Sequence, residues 1–254
     1  MIALLGNLSV DLLPGRPPRA GGGPYHGARA LQRLRVPARI VARCAQRDRD
    51  DLLPSVVRFG TPVRYIAGDV TATFAIAYDG DRREMRLEAV GDSWRPRDLP
   101  DLPPAVRWVH VAPLARSDFG AETLAAIGRR RRLSLDGQGL VRSPEPGPLR
   151  LDADFDPEVL RYVWVLKLAD EEAAVIGDVT ALPVREILVT HGGRGSTLYL
   201  AGRREEIPAH NLPGDPTGAG DAFMTAYIAA RDTGFGPAGA ARRATAVVAS
   251  LLMR

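Results

Sequence analysis

Short apolar runs alternate with helix-patterned stretches along nearly the whole chain, and few folds accept that order. Ile2–Leu5 reads as a buried strand, residues 25–35 as a helix, 38–43 as a strand and 48–59 as a second helix. Strand patterns return at Val106–Val111, Leu133–Leu135, Tyr162–Leu166 and Glu186–Thr190. Helical patterns lie over 118–130 and 170–177, and again over 219–232 and 237–252. Strand–helix–strand at this spacing predicts βαβ units and a mainly parallel sheet covered on both faces. Two places break the alternation. Residues 62–67, 70–78 and 83–90 read as three consecutive strands, with Asp79-Gly80 as the turn between the last two. Residues 194–207 read as a second antiparallel piece turning at Ala201-Gly202. The Pro-rich segments 96–104 and 143–148 read as loops.

Composition narrows the class further. With 254 residues, 45% hydrophobic and 25% charged, the chain is neither collagen, coiled coil nor disordered tail. No apolar run approaches the ~18 residues that span a bilayer. The first residues, MIALLGNLSVDLLPG, lack a basic leader and a small-residue cleavage site, so no signal peptide is expected. Cys44 is the single cysteine, which excludes an intrachain disulfide and points to the cytoplasm. The net charge is +4, yet Lys167 is the one lysine, so 33 of the 34 basic residues are arginine. That skew reads as a compositional bias. The run Arg129–Arg132 reads as a solvated helix end, and no nucleic-acid motif accompanies it, so neither nucleic acid nor membrane is an expected partner.

The run from Gly214 to Phe223, GDPTGAGDAF, carries the chemistry. It is a glycine-rich turn that leads straight into a helical pattern. Gly218 and Gly220 permit a backbone path closed to residues with a Cβ. The first amides of a helix point outward unpaired and carry the positive end of its dipole, which suits phosphate. Asp221 falls in the first turn, where a carboxylate can take a proton from a hydroxyl while the amides hold phosphoryl oxygens. The plainer reading, a tight loop with a helix-start acid, stands beside it. Other phosphate motifs are missing: there is no G-x-x-x-x-G-K-[ST], no kinase H-R-D with D-F-G, and no G-x-G-x-x-G after the first strand.

At these residues the sequence resembles the PfkB, or ribokinase-like, carbohydrate kinases. The family's D-x-T-G-A-G-D signature matches Asp215 to Asp221, and the likeness continues in order along most of the chain. Gly6–Asp11 resembles the family's first strand and substrate-binding Asp, and Gly21-Gly22-Gly23 its glycine pair. Thr71–Phe74 falls in what resembles the β-lid, Lys167–Glu172 resembles the N-x-x-E segment, and Val189–Gly195 the nucleotide strand and loop. The resemblance implies a three-layer α/β/α sandwich, one domain over 1–254, with a β-lid formed by about 8–20 and 62–90. It implies ATP-dependent phosphorylation of a hydroxyl on a sugar or polyol. It gives Asp221 the part of general base and the amides of Gly218, Ala219 and Gly220 that of anion hole. Asn7, Asp11, Gly22, Gly23 and His26 would face the substrate. Lys167, Thr190, Gly192, Gly195 and Thr217 would lie along the nucleotide, and Glu172 would organise Mg²⁺ through water.

Several places depart from the family pattern. His26 stands where members often have Asn, and Ala169 stands at the Asn of N-x-x-E. Asp170 reads as a helix-start acid. Gly21–Tyr25, Asp136–Arg142 and Lys167–Glu172 together resemble the inositol-kinase-like branch, in which Gln138 and Arg142 would contact substrate or hold a loop. Residues 232–250 would flank adenine, and a usual final segment is not expected after them. A nucleoside kinase of the same fold, or a weakly catalytic ligand-binding homologue, remains the alternative. A homodimer through the lid edge is a further expectation. His110 reads as a core histidine and Cys44 as inert packing; no His spacing suggests zinc, and Trp94, Trp108 and Trp164 suggest no stacking platform.

Overall fold

Strand β1 (Ile2–Asn7) lies inside a nine-stranded sheet, and its alternation feeds two cores at once. Ile2 and Leu4 pack into a core on one face; Ala3 and Leu5 pack into a second core on the other. A strand buried on both sides must be apolar at every position, which is why the pattern reads as a continuous run. The computed structural model describes residues 1–79, 82–210 and 216–253. Parallel to β1 run β4 (Ala38–Ala45), β5 (Val63–Gly68), β8 (Trp108–Ala112), β9 (Arg132–Asp136), β11 (Val163–Ala169) and β12 (Glu186–Thr190). The hairpin β13 (Gly195–Leu200) and β14 (Arg203–Pro208) adds antiparallel strands at one edge, turning at Ala201-Gly202 as expected. The order is β14-β13-β12-β11-β9-β8-β1-β4-β5.

Helix α1 (Gly23–Leu34), α2 (Arg49–Val57), α6 (Ala219–Asp232) and α7 (Pro237–Leu252) cover one face. Alanines 240, 241 and 244 let α7 lie close against α6. Helix α3 (Ala121–Gly128) covers the other face, with α4 (Gln138–Val141) and α5 (Asp170–Ile176) following β9 and β11. The result is the expected three-layer α/β/α arrangement.

A second sheet of five short strands grows from the end of β1. It comprises β2 (Ser9–Leu12), β3 (Arg19–Gly21), β6 (Ala72–Asp79), β7 (Arg82–Ala89) and β10 (Gly147–Pro148), in the order β10-β7-β6-β2-β3. Ala72, Phe74 and Ile76 are buried together with Leu87 and Leu114, in the period-two register read from sequence. Residues 63–68 do not join this sheet. They pair in parallel with β4 as an edge strand of the large sheet. A half-buried edge strand alternates like a flap strand, so pattern alone assigned it to the wrong sheet. Gly80 of the expected turn lies outside the described residues.

After β1 the chain builds β4 and β5 on one side and then crosses back to β8 on the other. The strand order therefore reverses between β1 and β8, whose carboxyl ends meet at the register pair Gly6 and Ala112. In open α/β sheets, a crevice opens at such a reversal.

Candidate active site

The glycine-rich run resolves into a left-handed cap and a helix aimed at that reversal. Gly218 has φ 77° and caps α6, and a side chain there would collide with the His26 ring. Glycine is thus required by backbone conformation and by packing together. The Ala219 N–H donates to the Pro216 carbonyl at 2.9 Å, and that of Ala222 to the Gly218 carbonyl at 2.9 Å. The N–H groups of Gly220 and Asp221 meet no backbone carbonyl among the described residues. Ala219 therefore leaves the anion hole expected from sequence, because the first helical residue closes a turn back onto Pro216. Asp215 of the signature lies outside the described residues.

Asp221 projects from the first turn of α6 toward the amino end of α1. A Cβ on Gly23 would overlap the Ala112 side chain and sit 3.1 Å from Asp221 Oδ1. The bare backbone at Gly23 is what lets the two helix starts converge on one carboxylate. Burial, then the negative charges of Asp136 and Glu172, push the Asp221 carboxyl up to about 7, against the pull of Lys167 and Arg142. A carboxylate with that proton affinity is poised for base work near neutral pH.

Lys167 lies beneath α6, not along a donor path. Its Nζ donates to both Asp136 oxygens at 3.3 Å and lies 3.9 Å from Glu172 Oε2. Burial alone would lower this ammonium, but Asp136, Glu172 and Asp221 outweigh it and hold it above the usual range. The phosphate contact expected from sequence is thus replaced by a buried ion pair. Asp136, which ends β9 and is fully buried, was given no role by sequence reasoning. An acid closing a strand pattern just before Gln138 was its one signal.

Around the reversal, the expected substrate residues divide by task. Asp11 accepts from Ser9 Oγ at 2.9 Å, and Gly21 is bare where a Cβ would lie 2.6 Å from both Asp11 oxygens. Gly22 takes φ 90°, and a side chain there would strike the Asn7 carbonyl. Asn7 itself is spent internally: its Nδ2 donates to the Asp92 carbonyl at 3.1 Å, and its Oδ1 accepts from Trp94 Nε1 at 2.8 Å. That pairing corrects the expectation of a substrate contact. His26 is buried, edge-on to Tyr25 and against Gly218. Gln138 and Arg142 begin and end the short turn of α4, and Arg142 lowers the proton affinity of Asp221 and Glu172.

The expected donor loop follows β12. Thr190 Oγ1 donates to the Leu168 carbonyl at 3.2 Å, and Gly192 takes φ 57°. Gly195 takes φ 109°, and the Ile207 carbonyl of β14 lies in the path of any Cβ. Asp170 opens α5 as read, and also braces this loop. It pairs with His191 Nδ1 at 2.5 Å and Arg194 Nη2 at 2.7 Å. Thr217 sits beside Gly218 along a small cleft between α1 and α7.

Glu172 does not make a magnesium seat. Its Oε2 accepts the Ala169 N–H at 2.8 Å and faces Lys167, and burial pushes its carboxyl up. A fixed ammonium among the carboxylates disfavours a dication there. Among the described residues, no three His, Cys, Asp or Glu side chains gather as a ligand set. The magnesium role implied by the resemblance does not fit these residues.

Known proteins place this geometry in context. A family model described as pfkB family carbohydrate kinase matches residues 148–253. A nucleoside kinase of Thermoplasma acidophilum is 41% identical over 220 residues, which cover 84% of this chain and 71% of that protein. An inositol 3-kinase of Zea mays is 30% identical over 176 residues, 66% of this chain and 45% of that protein. The chain spans less than half the length of the plant inositol kinases it matches. Among solved structures, a pyrophosphate-dependent kinase in the ribokinase family, complexed with a pyrophosphate analog and myo-inositol, superposes with TM-score 0.85 at 23% identity. That match covers 100% of this chain and 96% of the other, and it establishes the fold.

Proposed function

The chain belongs to the PfkB family of carbohydrate kinases, and from that premise we propose that it transfers a phosphoryl group to a hydroxyl of an inositol-like polyol. One observation carries the reading: the first turn of α6 brings Asp221 and the Gly220 N–H to the sheet reversal, where α1 also begins. The acceptor lies between this point and Asp11, under the small sheet, which acts as a lid. Asp221 takes the hydroxyl proton as the acceptor oxygen forms its bond to phosphorus. The phosphoanhydride P–O bond breaks in line, and the leaving group departs as ADP or orthophosphate. The Gly220 amide and the positive end of α6 offset charge on the transferring oxygens.

The maize relative and the myo-inositol-bound fold relative support a polyol acceptor. The 41% identity to a nucleoside kinase supports a second reading, a nucleoside acceptor at the same site. The donor is a phosphoanhydride, ATP or pyrophosphate, the latter supported by the fold relative. The test incubates the protein and Mg²⁺ with ATP or pyrophosphate and, in turn, myo-inositol, fructose and inosine, and measures ADP or orthophosphate. Acceptor-dependent release with myo-inositol supports the polyol reading; release with inosine alone moves the assignment to nucleosides. No acceptor-dependent release with either donor overturns the kinase reading in favour of a ligand-binding homologue.

A further inference from the structure

Beneath the proposed base lies an ion pair that the transfer reaction as described does not use. Lys167 on β11 and Asp136 on β9 are register partners in adjacent parallel strands, so their side chains leave the sheet side by side. The Gly137 N–H donates to the Lys167 carbonyl at 2.7 Å and fixes the strand ends together. A Cβ on Gly220 would lie 3.1 Å from Lys167 Nζ and 3.4 Å from its Cε. The ammonium thus sits close against the bare backbone of Gly220, as a compact point charge and not a planar fork. The fit gives a physical reason for a lysine here in a chain whose other basic residues are all arginine.

We propose that Lys167, anchored by Asp136, is the resident cation of the active site and a positioning residue that keeps Asp221 able to ionise; this rests on the phosphotransfer reading above. The charged groups facing Asp221 are Asp136 from β9, Lys167 from β11, Glu172 from α5 and Arg142 beyond α4, while α1 offers it the bare Gly23. Three carboxylates thus face two cations. With Lys167 neutralised, Asp136 and Glu172 would stand buried beside Asp221 with Arg142 alone to balance them, and a proton on Asp221 would become the cheapest relief. With Asp136 neutralised, Asp221 loses a like charge and ionises more readily. The two changes therefore act in opposite directions, which a merely structural pair would not do.

The test compares wild type, Lys167→Met, Lys167→Arg and Asp136→Asn in the full chain. The first readout is the pH at which the Asp221 carboxyl titrates, followed by ¹³C NMR and assigned by its loss in Asp221→Asn. The second is the acid limb of kcat/KM with the best donor and acceptor pair. Lys167→Met should move both upward by about one pH unit, the lower range for loss of a nearby opposite charge. Asp136→Asn should move both downward. Lys167→Arg should keep the limb near wild type at a reduced kcat. Folded variants in which Asp221 titrates as in wild type overturn the proposal, whatever their rates. If Lys167→Met does not fold, the direction seen in Asp136→Asn decides. A wild type that transfers nothing to any acceptor defeats the kinase reading alone, because the NMR titration needs no turnover.

Discussion

Strand β9 begins with Arg132 and ends with Asp136, and the two ends of the sheet treat charge differently. At the amino end, Arg132 is exposed and stacks over Trp108 at 5.4 Å and Trp164 at 5.1 Å. Arg231 and Arg185 lie over the same two rings, which meet edge-to-face at 6.4 Å. For the exposed Arg132 and Arg185 each such cation–π contact contributes ~0.5–1 kcal/mol and leaves the charge to water, whereas Arg231 also pairs with the buried Glu186 at 2.7 Å. At the carboxyl end, Asp136, Lys167 and Glu172 are buried together, and their charges act on the half-buried Asp221. There each charge sets the proton affinity of its neighbours. Arginine on tryptophan decorates one end, whereas carboxylates around one lysine make the other end reactive.

The largest expected difference between the ends is in Asp221→Asn. This change removes the proposed base and keeps the shape, so kcat should fall at least ~10²-fold with the thermal midpoint little changed. Initial rates and a thermal melt check both, and a variant near wild-type turnover would erase the contrast between the two ends. The pH profile sharpens the same point. As the proposed base Asp221 acts only when ionised, and it holds its proton up to about 7. The wild-type kcat/KM should therefore rise with pH up to about 7, flatten above it, and drop ~10-fold per unit below it. An acid limb near 4 would assign the base to a solvated carboxylate.

Gly218→Ala should come next. It forces a Cβ into the left-handed region and against His26, a strain of ~1–3 kcal/mol. Lower melting temperature and weaker donor binding should appear together, and an unaltered donor KM would detach the cap from the phosphate site. The smallest effect is expected at the other end of the same strand. Arg132→Gln should cost under ~1 kcal/mol and leave the acid limb of activity where it is. A limb that moved with Arg132 would mean that charge at the amino end reaches the chemistry after all.

Much of this contrast was legible in the sequence. Strand β12 and helices α6 and α7 fall at the expected residues, because long periodic segments carry their own signal. The glycine-rich turn with Asp221 behind it was also legible, since glycine directly before a helical pattern permits the left-handed cap seen at Gly218. Other features were not. Residues 63–68 alternate as any half-exposed strand does, and alternation does not say which sheet a strand joins. Trp108 and Trp164 lie 56 residues apart in sequence and meet because β8 and β11 flank β9. Lys167 looked like a phosphate ligand because a lone lysine near a phosphate motif invites that reading.

The amino-acid sequence by itself determined the layers, the direction of the sheet and the glycine-rich bend before α6, since these follow from local periodicity and from the conformations open to glycine. Tertiary structure decided which charges share one buried space. The partnership of Asp136 with Lys167, the capture of Asn7 by Trp94 and Asp92, and the approach of Asp221 to Gly23 all join segments distant along the chain. The proton affinity of a carboxylate depends on the charges within a few ångströms and on the water excluded around it, and only the packed molecule brings those neighbours together.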